Sequence, residues 1–148
     1  MRDALLATVI DEYATIEAFA SVLTYEQQAL TQVDPADLLR PIVEKKTELV
    51  GKLARLEKIR DGHLAEMGLP GGWNGIELAA ENDPKLATQW ALLQQSVERA
   101  RRSNKTNGVL IRTRMEYNQR ALDALQVTPP KKVALYGPDG RMPAFGSL

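Results

Sequence analysis

Between Pro84 and Gln126 the chain reads PKLATQWALLQQSVERARRSNKTNGVLIRTRMEYNQRALDALQ. No proline interrupts the stretch after its first position, and proline is the residue a helix interior tolerates least. Leu86, Trp90, Leu93, Val97, Ala100, Asn104, Asn107, Ile111, Met115, Asn118, Leu122 and Leu125 recur in steps of three and four. That is the spacing of a helix that buries one seam. Asp83, just ahead of Pro84, is a capping side chain followed by proline at the first helical position. At 1.5 Å per residue such a helix reaches about 64 Å. An element of that length implies an elongated bundle or coiled coil.

Two more proline-free windows flank it, at 1–34 and 42–69. In the first, Leu6, Val9, Tyr13, Ile16, Ala20, Leu23, Gln27 and Leu30 follow the same heptad steps, predicting a helix over about 3–32. The second helix is expected over 35–67, opened by Asp34-Pro35, with a seam of Leu38, Ile42, Leu49, Leu53, Leu56, Ile59 and Met67. Pro41 opposes the carbonyl of Asp37, so a kink or a short preliminary turn is expected there. Gly68, with Pro70 two residues on, is a stop signal. Residues 68–83 hold four glycines and read as a connector, with one helical turn near Ile76–Glu81 and Trp73 pinning the loop to a helix. From Pro129 to Leu148, four prolines and three glycines break all periodicity. The expected fold is therefore all-α. Residues 1–128 form an elongated antiparallel bundle or coiled coil of three long helices, and 129–148 a mobile Pro/Gly-rich C-terminal tail.

Composition agrees with helices. Hydrophobic residues make up 44% of 148 residues but aromatics only 5%, and 20 Leu and 18 Ala supply most of the apolar content. Lys plus Arg (19) balances Asp plus Glu (19), which argues against a nucleic-acid partner. Cysteine is absent, excluding disulfides, thiolate metal sites and cysteine nucleophiles. No long uncharged apolar run predicts membrane insertion, and Asp11, Glu12 and Glu17 near the start do not fit a targeting segment. A cytoplasmic location is expected.

Chemistry is sparse. His63 is the one histidine, too few ligands for a metal. The glycines at 68, 71, 72 and 75 lack the Gly-Lys-Ser/Thr of a phosphate loop, and no nucleophile–base motif occurs. Neither catalytic residues nor cofactors are expected.

Charge is unevenly spread. Arg99, Arg101, Arg102, Lys105, Arg112, Arg114 and Arg120 stand against Glu98 and Glu116 on the third long helix. Residues 1–34 carry six acids against Arg2. Mutual neutralisation within the bundle accounts for this, ahead of an RNA groove. Asn104, Asn107 and Asn118 stand on the same helix where apolar residues are wanted, with Gly108 in mid-helix. They read either as a polar layer that fixes register or as a face held ready for a partner helix.

Three features together resemble the FlgN family of flagellar type III export chaperones. They are Lys45-Lys46-Thr47-Glu48-Leu49-Val50 with the following Leu53-Ala54-Arg55-Leu56, the Asn104-x-x-Asn107-Gly108-x-Leu110-Ile111 run, and Leu135-Tyr136-Gly137-Pro138-Asp139-Gly140-Arg141. The resemblance covers nearly the whole chain. It implies a cytoplasmic helical chaperone that binds the amphipathic C-terminal helices of hook–filament junction proteins, prevents premature assembly and delivers them to the export gate.

The residues expected to meet such partners are Asn107, Val109, Ile111, Met115, Leu122 and Leu125, with Leu135 and Tyr136 as tail anchors. Met115 supplies an adaptable side chain for a shared groove. A self-associating structural coiled coil or helical adaptor, forming a weak homo-oligomer, is the alternative.

Overall fold

The computed structural model describes residues 2–125. Four helices follow one another: α1 (Arg2–Ala29), α2 (Ala36–Glu66), α3 (Gly72–Ala80) and α4 (Pro84–Ala124). No strand occurs among the described residues. The all-α expectation holds, with three long helices and one short one. The tail from 129 onward, including Leu135 and Tyr136, lies outside the described residues.

Capping chemistry sets most of the boundaries. Asp83 accepts a hydrogen bond from the Leu86 amide at 3.2 Å, and Pro84 opens α4 as expected. At the end of α2, the Gly68 amide donates to Ala65 O and the Leu69 amide to Leu64 O. Gly68 stands between them at φ 74°, closing a Schellman motif. Asp34 does not act as a cap. Pro35 occupies that position without a side-chain hydrogen bond, and the Leu39 amide donates to Pro35 O. Nor does Pro41 break the helix, since α2 runs unbroken from Ala36 to Glu66. Near the helix start a missing N–H removes a single hydrogen bond.

The connector holds more helix than one turn. Asp61 Oδ1 accepts from the Gly72 amide at 2.9 Å, and from there the chain winds for nine residues, burying Ile76 and Ala79. Gly75 permits this docking, because a Cβ there would fall 1.7 Å from Pro70 O.

α1 is the middle of the assembly. It packs against both α2 and α4, while no Cα of α2 comes within 8 Å of a Cα of α4. Cross-links from Glu12 to Arg60 and from Glu26 to Lys46 run in opposite sequence order, so α1 and α2 are antiparallel. Links from Glu17 to Ser96, Glu26 to Asn107 and Leu30 to Arg114 run in the same order. α1 and α4 are therefore parallel, and α3 carries the chain across. Facing two neighbours, α1 buries a broad stripe that includes Leu5, Val9, Ile16, Phe19 and Leu23. Two apolar clusters result, one around Phe19, Leu23, Leu49 and Ile111, the other around Leu5, Ile76, Leu86 and Trp90.

The seam of α2 is rotated from the expected one. Leu49 and Leu56 are buried as expected, but Leu38 and Ile59 are half exposed, and Leu39, Lys46, Arg60 and Leu64 take buried places instead. The three-and-four spacing includes both cations once Lys46 and Arg60 are admitted to it.

Candidate functional site

The first region of interest is the distal half of α4. Asn107 is 1% exposed, and its Nδ2 donates to Leu23 O at 2.8 Å and to Glu26 Oε1 at 2.9 Å. Lys46 Nζ donates to Glu26 Oε2 at 2.9 Å and to Asn104 Oδ1 at 3.3 Å. The two asparagines thus belong to a buried polar layer that joins α1, α2 and α4. Ile111 is buried in the neighbouring apolar cluster. Neither Asn107 nor Ile111 faces outward, since their side chains are committed to the fold.

Beyond this layer, Arg114 donates to Leu30 O and Val33 O, tying α4 to the turn after α1. Past Arg114 every described residue of α4 is exposed except the half-buried Leu122. Met115, Leu122 and Leu125 continue the stripe on which Ile111 lies, within about 40° at 3.6 residues per turn. Val109 is exposed but stands about 160° from Ile111, on the opposite face. The structure therefore groups Met115, Leu122 and Leu125 and separates Val109 from them. Among the described residues, none packs over this arm. Ten or so residues of helix are marginal in water on propensity alone.

The second region is a groove of about 300 Å³ between α2 and α4, floored by Glu12 and Ile16 of α1. Val50, Leu53 and Ala54 line one wall, Leu93 and Val97 the other, with Trp73 of α3 completing the lining. Arg60 Nη1 donates to Glu12 Oε2 at 2.6 Å, and both side chains are buried. The Arg60 guanidinium lies 5.2 Å from the Trp90 ring centroid, and Trp73 meets Trp90 edge-on at 5.7 Å. Burial pushes the Glu12 carboxyl up to about 7, against the pull of Arg60; Glu57 and Asp61 add to the rise. Glu12 Oε1, Arg60 Nε and Trp90 Nε1 are buried without a hydrogen-bond partner. Each unsatisfied group of this kind costs about 1–3 kcal/mol.

The FlgN protein family model matches residues 1–144. The chain belongs to the FlgN family. It is 30% identical to the flagella synthesis protein FlgN of Yersinia enterocolitica over 126 residues, 84% of this chain and 80% of the relative. With its counterpart from Salmonella typhimurium it shares 30% identity over 139 residues, 92% and 89% of the two chains. The Escherichia coli relative is 27% identical over 139 residues, 92% and 88%. No solved structure matches.

For this FlgN-family chain, two of the three runs that carried the resemblance contribute to one structural feature. Lys46 of the first run and Asn104 and Asn107 of the second meet in one buried layer. The expected neutralisation between the acidic first helix and the basic last one is realised by Glu17 with Arg99 at 3.3 Å. The buried pairs, however, join α1 to α2. Among the described residues no cluster of metal-ligating side chains occurs, and no helix is long and apolar enough to cross a membrane. Sequence reasoning passed over Glu12, Arg60 and Trp90 as a group. Their common signal is two charges standing at seam positions of facing helices.

Proposed function

We propose that this chain is a cytoplasmic flagellar export chaperone that binds amphipathic C-terminal helices of hook–filament junction proteins and delivers them to the type III export gate. Family membership supports the reading at the level of flagellar synthesis. The observation that carries it further is the exposed stripe of Met115, Leu122 and Leu125 on the part of α4 that has no neighbour among the described residues. A client helix laid on that stripe buries its own apolar face and gives the arm the packing it lacks, the helix-in-groove mode of recognition. Binding there also keeps the client from assembling, since the same apolar face is occupied. Asn107, Ile111 and Val109 are left out of the docking set by their positions; Leu135 and Tyr136 remain proposed anchors on sequence grounds.

Calorimetry of the full chain with C-terminal segments of junction proteins tests this. A saturable complex at tens of micromolar is expected, and its absence counts against the reading. Pairing of two such arms, giving a weak homo-oligomer, is favoured by the same exposed stripe. Light scattering that remains monomeric at all concentrations removes that alternative.

A further inference from the structure

We propose that the outward face of α4 between Glu98 and Glu116 is a docking site for an acidic helix of another protein, one whose carboxylates ring a single aliphatic side chain. Arg102, Lys105, Val109 and Arg112 are all exposed. They share an arc of about 80°, turned about 100–180° from the buried Ile111, at 3.6 residues per turn. The acids of α1 are engaged elsewhere. Asp11 pairs with Lys52, Glu12 with Arg60 and Glu26 with Lys46, all on α2, and Glu17 with Arg99 one turn ahead of the face. Among the described residues, no carboxylate lies within ion-pair distance of Arg102, Lys105 or Arg112. Three cations around an exposed aliphatic side chain make a surface whose complement is negative and partly apolar.

Two features of the face select the occupant. Val109, 44% exposed, stands among the cations, and a nucleic-acid backbone offers it no apolar partner. A formal net charge of zero also gives the chain no long-range attraction for a polyanion. The ends of the face argue against a planar anionic membrane. Glu98 and Glu116 lie on the same arc, about 27 Å apart at 1.5 Å per residue. A flat anionic surface that meets the cations between them also meets both carboxylates, whereas a helix of about four turns fits between them. Cations stand seven and four residues before Val109 and three after it. The complementary helix therefore brackets its aliphatic side chain with acids. Exposed ion pairs are individually weak, so the contact is a low-affinity, salt-sensitive one. The inference stands on this face alone and does not depend on the α4 arm.

The test titrates the isotope-labelled full chain with two synthetic alanine-rich peptides of about 15 residues, long enough to be partly helical alone. Both carry one leucine and four glutamates. In the first the glutamates stand three and four residues to either side of the leucine; in its twin they occupy the opposite face. The first peptide is expected to shift the amide resonances of residues 102–112 saturably and to bind at least about fivefold more tightly than the twin of equal charge. Raising salt from about 0.15 M to 1 M shortens the screening length from about 8 to 3 Å and is expected to weaken it at least about tenfold. Arg102→Glu combined with Lys105→Glu is expected to abolish binding. Val109→Ser, which alters no charge, is expected to weaken it about threefold. Leu125→Asp, on the arm, is expected to leave it intact. Equal affinity of the twins, no shifts at millimolar peptide, or shifts confined to other residues overturns the proposal. So does tighter binding of this face to phosphatidylglycerol vesicles or to oligouridylate than to the first peptide. The twin comparison needs only the unaltered chain, so it decides even if a charge-reversed variant folds poorly.

Discussion

Lys46 Nζ lies 2.9 Å from Glu26 Oε2, and the two side chains are 3% and 0% exposed. The pair joins the antiparallel helices α1 and α2, and Asn104 and Asn107 extend it onto α4. A buried ion pair is weak evidence of net stability, because desolvation of both charges offsets their attraction. Its geometry does more for register. Sliding α2 by one turn against α1 strands a carboxylate and an ammonium in the core, and sliding α4 strands two asparagines. We read the layer as the device that fixes how three leucine-rich helices align, which leucines alone specify poorly.

Removing one partner is therefore expected to be severe. Lys46→Met leaves the Glu26 carboxylate buried without its cation and should destabilise the fold by about 3–5 kcal/mol. In a double-mutant cycle with Glu26→Leu, the two changes should be non-additive by about 1–3 kcal/mol. Urea denaturation of the four proteins measures it. Additive losses would show that the pair does not act as a unit.

Glu12 governs a pH dependence of defined sign. Its carboxyl titrates at about 7 in the fold against 4.5 unperturbed, chiefly through burial. Between those values the folded chain keeps a proton that the unfolded chain has released, so this group's contribution to stability falls as pH rises and levels off above 7. Glu12→Gln cannot titrate. The variant's lead over the parent should grow by about 1–3 kcal/mol between pH 5 and pH 8. A gap of constant size across that range contradicts the assignment.

How far could this be read without coordinates? The long helices were legible because leucine and alanine repeat at helical steps, and the ends marked by Asp83-Pro84 and Gly68 use chemistry local to a few residues. The four buried charges were not. Glu12 finds Arg60 48 positions away and Glu26 finds Lys46 20 away, and an isolated charge on a helix gives no sign of such a partner. A seam drawn from apolar residues alone omits Lys46 and Arg60 and takes in the half-exposed Leu38 and Ile59. α3 was obscured by its glycines, of which Gly75 serves a close approach to Pro70 that only the fold creates. For the α4 arm, spacing identified the stripe of Met115, Leu122 and Leu125, but spacing is the same whether or not a neighbouring helix reaches that far.

Two glycines should respond oppositely to alanine. At Gly75 the new Cβ falls 1.7 Å from Pro70 O, a backbone atom that cannot step aside without moving the connector. Gly75→Ala should release α3 and destabilise by at least about 2 kcal/mol, in the range of overpacked cores. At Gly62, inside α2, a Cβ meets nothing within 4 Å. Gly62→Ala should raise stability by about 0.5–1 kcal/mol through reduced backbone entropy in the unfolded chain. Thermal melts by circular dichroism separate the two; equal effects would mean that the close approach to Pro70 is relieved without consequence.

The arm of α4 separates stability from binding. Leu125 is 71% exposed and Met115 41%, so replacing either by aspartate removes little packing from the monomer. Leu125→Asp and Met115→Asp should each change unfolding free energy by less than about 0.5 kcal/mol, as surface substitutions do. If a client helix lies on this stripe, the same changes place an unpaired charge in its apolar interface and should weaken capture of junction-protein C-terminal segments at least about tenfold. Ile111→Asp, four residues before Met115 but 5% exposed, should instead unfold the chain. Calorimetric titration beside a urea melt for each variant gives both numbers. Undiminished capture by Leu125→Asp and Met115→Asp together would move the client elsewhere, because among the described residues the stripe has no other apolar side chain past Arg114 except the half-buried Leu122.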